Sequence, residues 1–135
     1  MQARNQSRGK VILVTGINVA IALLHFATGS QYRGPFPEFV NGYLIDILLP
    51  FGFYFLLSLN ETRVPLLKSW IAKSLPVFGA ASLVELSQCF GVAIFGETCD
   101  PMDFVMYGTG VLLASILDTK VFPKIFTFWR PESPT

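Results

Sequence analysis

With 135 residues the chain is long enough for one compact domain. Hydrophobic residues make up 52% of it and charged residues only 14%, where soluble domains carry roughly a quarter charged. A net charge of +1 with no basic stripe argues against a nucleic-acid partner, and two cysteines are too few for a disulfide scaffold.

The first apolar stretch covers residues 11–30 and contains no formal charge if His25 is neutral. A helix of that length rises about 30 Å, the thickness of a bilayer's hydrocarbon core. Arg4, Arg8 and Lys10 precede it, as they would a signal peptide. A clean small-x-small cleavage site is missing, and His25 and Phe26 occupy the place of the cut, so a retained span is expected. Residues 39–59 form the second stretch, interrupted by Asp46 and Pro50. Residues 65–74 read as an interfacial lead-in, with Trp70 at headgroup depth and Lys68 and Lys73 snorkelling. The third stretch follows at residues 75–95 and the fourth at residues 101–122. From its end onward, Phe122, Phe126, Phe128 and Trp129 read as an aromatic tail lying at the interface.

These elements predict an all-α integral membrane bundle of four transmembrane helices, a single domain over residues 1–135. Orientation comes from the basic residues. In a four-span chain nine of the ten lysines and arginines fall on one side, leaving only Arg33 on the other. The positive-inside rule then makes both termini cytoplasmic.

An ionisable side chain within a bilayer is costly and calls for an explanation. In this topology Asp46 lies in the outer half of the second span. Glu85 lies near the middle of the third, with Gln88 a turn closer to the outer surface. Asp100 and Asp103 sit at the outer mouth of the fourth span, and Tyr107 lies a turn below. Helical spacing groups Ser82, Glu85 and Cys89 on one face, and Asp103, Tyr107, Gly110 and Ala114 on another. A weaker polar seam joins Thr15, Asn18, Ala22 and His25. The candidate site is therefore an outward-facing polar pocket formed by Asp46, Glu85, Gln88, Asp100, Asp103 and Tyr107.

Plainer roles compete with this one. Asp100-Pro101-Met102-Asp103 is also a good helix start, with Asp100 as N-cap and Pro101 at the first position. Glu85 and Gln88 are also suited to bonding between helices. Asp118, beside Lys120, reads as a surface charge at the inner boundary, and Cys89, inside a span, is expected to remain unpaired with Cys99.

Residues 84–114 (VELSQCFGVAIFGETCDPMDFVMYGTGVLLA) contain a Glu-x-x-Gln pair, a short loop, two aspartates three apart and a glycine seven residues on. In that order and spacing, Glu85, Gln88, Asp100, Asp103 and Gly110 resemble the pattern of VanZ-like membrane proteins. The chain departs from that pattern at Glu97, where the family usually has arginine, and at Tyr107, where it usually has asparagine. The resemblance implies a multi-pass protein of a bacterial-type inner (plasma) membrane with an envelope-related role. It does not imply drug resistance here.

Three functions remain open on the sequence. The leading one is a membrane protein whose outer acidic pocket binds a polar or cationic group. The second is a metal-assisted enzyme acting on a lipid-linked envelope substrate, using paired carboxylates. No nucleophile elbow, phosphate-binding glycine loop or metal-spaced histidine pair accompanies them, so no catalytic residue, metal or cofactor is assigned. The third is a small proton-coupled transporter, which lacks an inner half of a pathway marked by polar residues. The expected partner is the lipid bilayer, with self-association or a membrane protein partner open and the ligand unidentified.

Overall fold

The computed structural model describes residues 2–29, 31–92, 94 and 98–131. Every regular element among them is helical. Helix α1 (Gln2–Thr28) begins in the basic tail and carries the first apolar stretch without a break. The second stretch divides into a short α2 (Pro37–Gly42) and α3 (Leu44–Ser58), separated at Tyr43. The side chain of Asn41 at the end of α2 exchanges hydrogen bonds with the backbone of Tyr32, tying this connection together.

The lead-in is not one helix. Pro65–Lys68 forms a single 3-10 turn, Ser69 is extended, and α4 (Trp70–Cys89) starts directly at the tryptophan. Helix α4 therefore stops several residues before the expected end at residue 95. The stop has a local cause. Gly91 takes the left-handed conformation, φ 81°, its N–H donates to Gln88 O, and Val92 N–H donates to Ser87 O. This is a Schellman termination, which favours glycine because a side chain at that φ is strained. Helix α5 (Pro101–Ile116) continues through a π turn (Leu117–Val121) into α6 (Phe122–Ile125), and a 3-10 turn (Thr127–Trp129) follows.

The long helices α1, α3, α4 and α5 alternate in direction. Contacts join the start of α1 to the chain just after α3, the end of α4 to the start of α5, and the start of α4 to the turn after α5. Helix α3 is central and packs on α1, α4 and α5. Its closest approach is to α5, where Gly110 lies against the Ile47 carbonyl and leaves no room for a Cβ. On the other side Asn18 of α1 donates to Gly52 O of α3 at 3.4 Å, where a Cβ on residue 52 would crowd the Asn18 side chain.

Beside an apolar core around Val14, Phe55, Val77 and Val111, several polar and charged side chains are buried while many large apolar ones are exposed. Lys73, Glu85, Ser58, Ser115 and Asp118 are buried, whereas Ile12, Leu23, Leu75, Leu83, Val105 and Leu112 are each more than half exposed. Scattered exposed apolar residues are ordinary, but buried charge beneath an apolar exterior is informative. Residues 3–28 and 101–125 form two helices long and apolar enough to cross a membrane, and α3 is a shorter apolar helix.

Candidate functional site

The two ends of the bundle carry different chemistry. One end is acidic and is organised around Glu85, which is 1% exposed. Because α4 ends at Cys89, Glu85 lies a turn from the helix terminus rather than near mid-span as the sequence suggested. Its Oε1 accepts the backbone N–H of Asp100 at 2.8 Å, and its Oε2 accepts the Tyr107 hydroxyl at 3.3 Å. A carboxylate is favourably placed at the N-terminus of α5, where free N–H groups and the helix dipole attract negative charge.

Asp100 serves as the N-cap of α5, accepting Met102 N–H at 2.9 Å through Oδ1. Its Oδ2 accepts the Tyr43 hydroxyl at 2.9 Å, so the same side chain also ties α5 to the start of α3. The cap and the polar site are thus one arrangement. Asp46 and Asp103 stand within electrostatic reach of Glu85, Asp100 and one another. Gln88 is half-buried and makes no side-chain hydrogen bond among the described residues. Ser82 Oγ, a turn before Glu85, is buried without a partner among the described residues. Glu97, a departure from the VanZ-like pattern, lies outside the described residues.

No lysine or arginine among the described residues forms a salt bridge with these acids. Only Glu85 is buried while Asp46, Asp100 and Asp103 are half-buried, and carboxylates gathered this closely repel one another unless protons or a cation lie among them. Oxygen donors of this kind suit hard cations. Glu85, Cys89 and Cys99 also bring potential ligand atoms within 4.8 Å of one another. There the cysteines are joined as a disulfide, with Cα atoms 4.8 Å apart, which removes both thiolates as ligands. This pairing corrects the expectation of an unpaired Cys89. The early end of α4 makes Cys89 its last residue, at the level of the loop that carries Cys99.

The other end of the bundle departs from the sequence expectation. Asp118 is not a surface charge: it is 8% exposed and accepts three side-chain hydrogen bonds. Lys73 Nζ donates to its Oδ2 at 2.5 Å, the Tyr54 hydroxyl to Oδ2 at 2.8 Å, and Trp129 Nε1 to Oδ1 at 2.8 Å. Lys73 is 1% exposed, so it does not snorkel. Its ammonium also donates to Glu61 Oε1 at 2.6 Å, and Lys10 reaches Glu61 Oε2 at 3.0 Å. The aromatic tail is drawn in with the network. Trp129 is buried, and its ring lies 5.1 Å from Phe122 and 5.9 Å from Phe55. Phe128 covers Gly9 of α1, where a Cβ would come within 2.7 Å of its ring.

Two cavities stand out, and neither is lined by the clustered acids. A cavity of about 150 Å³ lies between α1 and the α2–α3 segment, with His25, Asn41 and Leu48 among its walls. The second, of about 530 Å³, opens at the basic end beside the Lys73–Asp118 network. Comparison of the chain with protein-family models, curated proteins and solved structures finds no match.

Proposed function

We propose that the chain is a multi-pass integral membrane protein of VanZ-like type in a bacterial inner (plasma) membrane, with an outward-facing acidic site that binds a polar or cationic group. In this reading α1, α3, α4 and α5 with its extension cross the bilayer, and both termini and the basic end lie in the cytoplasm. The observation that carries the function is buried Glu85, bonded to Asp100 and Tyr107, with Asp46 and Asp103 close by. The Ser82 hydroxyl, buried without a partner among the described residues, adds a spare polar group a turn from Glu85.

Independent features support the setting. Buried charge beneath an apolar exterior suits lipid as the solvent. The Cys89–Cys99 disulfide stands at the acidic end, and disulfides persist on the oxidising side of a cell membrane. Lys10, Lys68, Lys73 and Arg130 gather at the opposite end, in keeping with the positive-inside rule.

The test is thermal unfolding of the purified protein in nanodiscs with Ca²⁺, Mg²⁺ or a polyamine added over a sodium background. A bound cation stabilises by about 2.7 kcal/mol at a hundredfold excess over its Kd. The wild type should gain stability with at least one of these cations, and the Asp46→Asn/Asp103→Asn variant should lose that gain. Equal curves for both proteins with every cation would remove cation binding from the proposal.

A proton-coupled transporter is the second reading, favoured by one observation. The sequence marked no inner half of a pathway, yet Lys73, Asp118, Tyr54 and Ser58 are buried polar groups at the basic end. Flux of an amine driven by a pH gradient in proteoliposomes would support it, and silence across a panel of amines would oppose it.

A further inference from the structure

The cavity at the basic end is not part of the acidic site, although Ser58, Lys73 and Asp118 in its wall are among the buried polar groups that favour the transporter reading. Its volume of about 530 Å³ falls within the usual range for small-molecule sites, about 300–1,000 Å³. Four cations and two carboxylates line it: Lys10, Lys68, Lys73 and Arg130 against Glu61 and Asp118. Glu61 and Asp118 are committed to Lys10 and Lys73, which form the three ion pairs among the described residues. Lys68 and Arg130 have no acidic partner among the described residues. Among the described residues the cavity therefore carries an excess of two positive charges, and Arg130 Nε donates to Pro123 O at 3.1 Å.

The walls are of mixed character. Val11, Leu59 and Phe128 supply apolar surface, while Ser7, Thr62 and Thr119 supply hydroxyls. The buried Lys73–Asp118 pair lines the cavity, so Asp118 is already committed and does not offset the charge of Lys68 or Arg130. An occupant should then offer compact negative charge, several acceptor oxygens and a tolerance for apolar contact. Phosphate oxygens meet the first two demands, since lysine and arginine bind phosphate well. In the proposed orientation the cavity opens at the headgroup layer of the cytoplasmic leaflet, where anionic lipids are found and basic pockets between helices take their headgroups.

We propose that this cavity binds a phosphate-bearing anion through Lys68 and Arg130, supplied either by an anionic phospholipid headgroup or by a soluble phosphate compound. The inference is separate from the acidic site, and substitutions at Asp46 or Asp103 should leave it intact.

The experiment compares the detergent-solubilised wild type with Lys68→Ala/Arg130→Ala, which leaves Lys73, Asp118 and Glu61 untouched. Three probes are used: short-chain phosphatidylglycerol, short-chain phosphatidylcholine and inorganic phosphate. Binding is read by native mass spectrometry and by the shift in unfolding midpoint. Phosphatidylglycerol should be retained in preference to phosphatidylcholine, and each substitution should weaken binding roughly fivefold. Phosphatidylglycerol binding without a phosphate effect supports the proposal with lipid as the source. A comparable effect of inorganic phosphate supports it with a soluble source. If the two lipids bind equally and phosphate has no effect, or if the double variant binds like the wild type, the proposal is overturned. Should the double variant fail to fold, a salt titration on the wild type replaces it: binding must fall as ionic strength rises, and salt-insensitive binding contradicts the site.

Discussion

The ammonium of Lys73 lies 2.5 Å from Asp118 Oδ2, and both side chains are buried where the start of α4 meets the turn after α5. Two charges taken out of water together are held by their mutual attraction and by the hydrogen bonds around them. Removing one leaves the other stranded. Asp118→Leu should therefore lower stability by about 3 kcal/mol, the lower end of the usual range because Glu61 still accepts from Lys73. Adding Lys73→Met should recover part of the loss by removing the stranded ammonium, while the Tyr54 hydroxyl and Trp129 Nε1–H still lack their acceptor. Thermal unfolding in detergent reads both changes, and a double variant no better than the single one would contradict a simple pair.

Glu85 acts as a staple between α4 and α5 whatever else it binds. Glu85→Ala leaves the Asp100 N–H and the Tyr107 hydroxyl without their acceptor. The expected loss is about 2–3 kcal/mol, from unsatisfied groups of that kind. Glu85→Gln keeps an acceptor oxygen and should lose less stability while losing the charge. If the two variants were equally stable, the acceptor role assigned to Glu85 would be wrong.

Gly110 marks the closest contact between α5 and α3. A methyl group there meets the Ile47 carbonyl, which is backbone and cannot swing aside. Gly110→Ala should cost about 1–3 kcal/mol through overpacking. Gly16, with open space around it, makes the matched control and should tolerate alanine. Unfolding midpoints of the two variants compare the sites directly.

Much of this arrangement is legible in the sequence, with informative exceptions. Asp100 followed by Pro101 marked the start of α5, and the seam of Asp103, Tyr107, Gly110 and Ala114 marked the face that α5 turns inward. The same seam, carried one more step of four, reaches Asp118, and steps of four back from Glu85 reach Lys73 through Val77. Beside Lys120, Asp118 reads as a surface charge, and beside Lys68 and Trp70, Lys73 reads as a snorkelling lysine of an interfacial segment. What spacing could not reveal was the partner, because Tyr54, Glu61 and Trp129 come from three other parts of the chain. The end of α4 was lost for a different reason. Apolar residues continue to residue 95, and the local signal of Gly91 was outweighed by hydropathy. Moving that boundary brings Glu85 near the end of α4 and lets Cys89 meet Cys99.

The account depends above all on the acidic end facing outward and the basic end inward. The native cysteines measure this, since both belong to one disulfide at the acidic end. Right-side-out and inverted vesicles would each be treated with a membrane-impermeant reductant and then a membrane-impermeant maleimide. The account predicts two labelled thiols per chain in right-side-out vesicles after reduction, none before reduction, and none in intact inverted vesicles. Labelling confined to inverted vesicles would place the acidic end in the cytoplasm and contradict it.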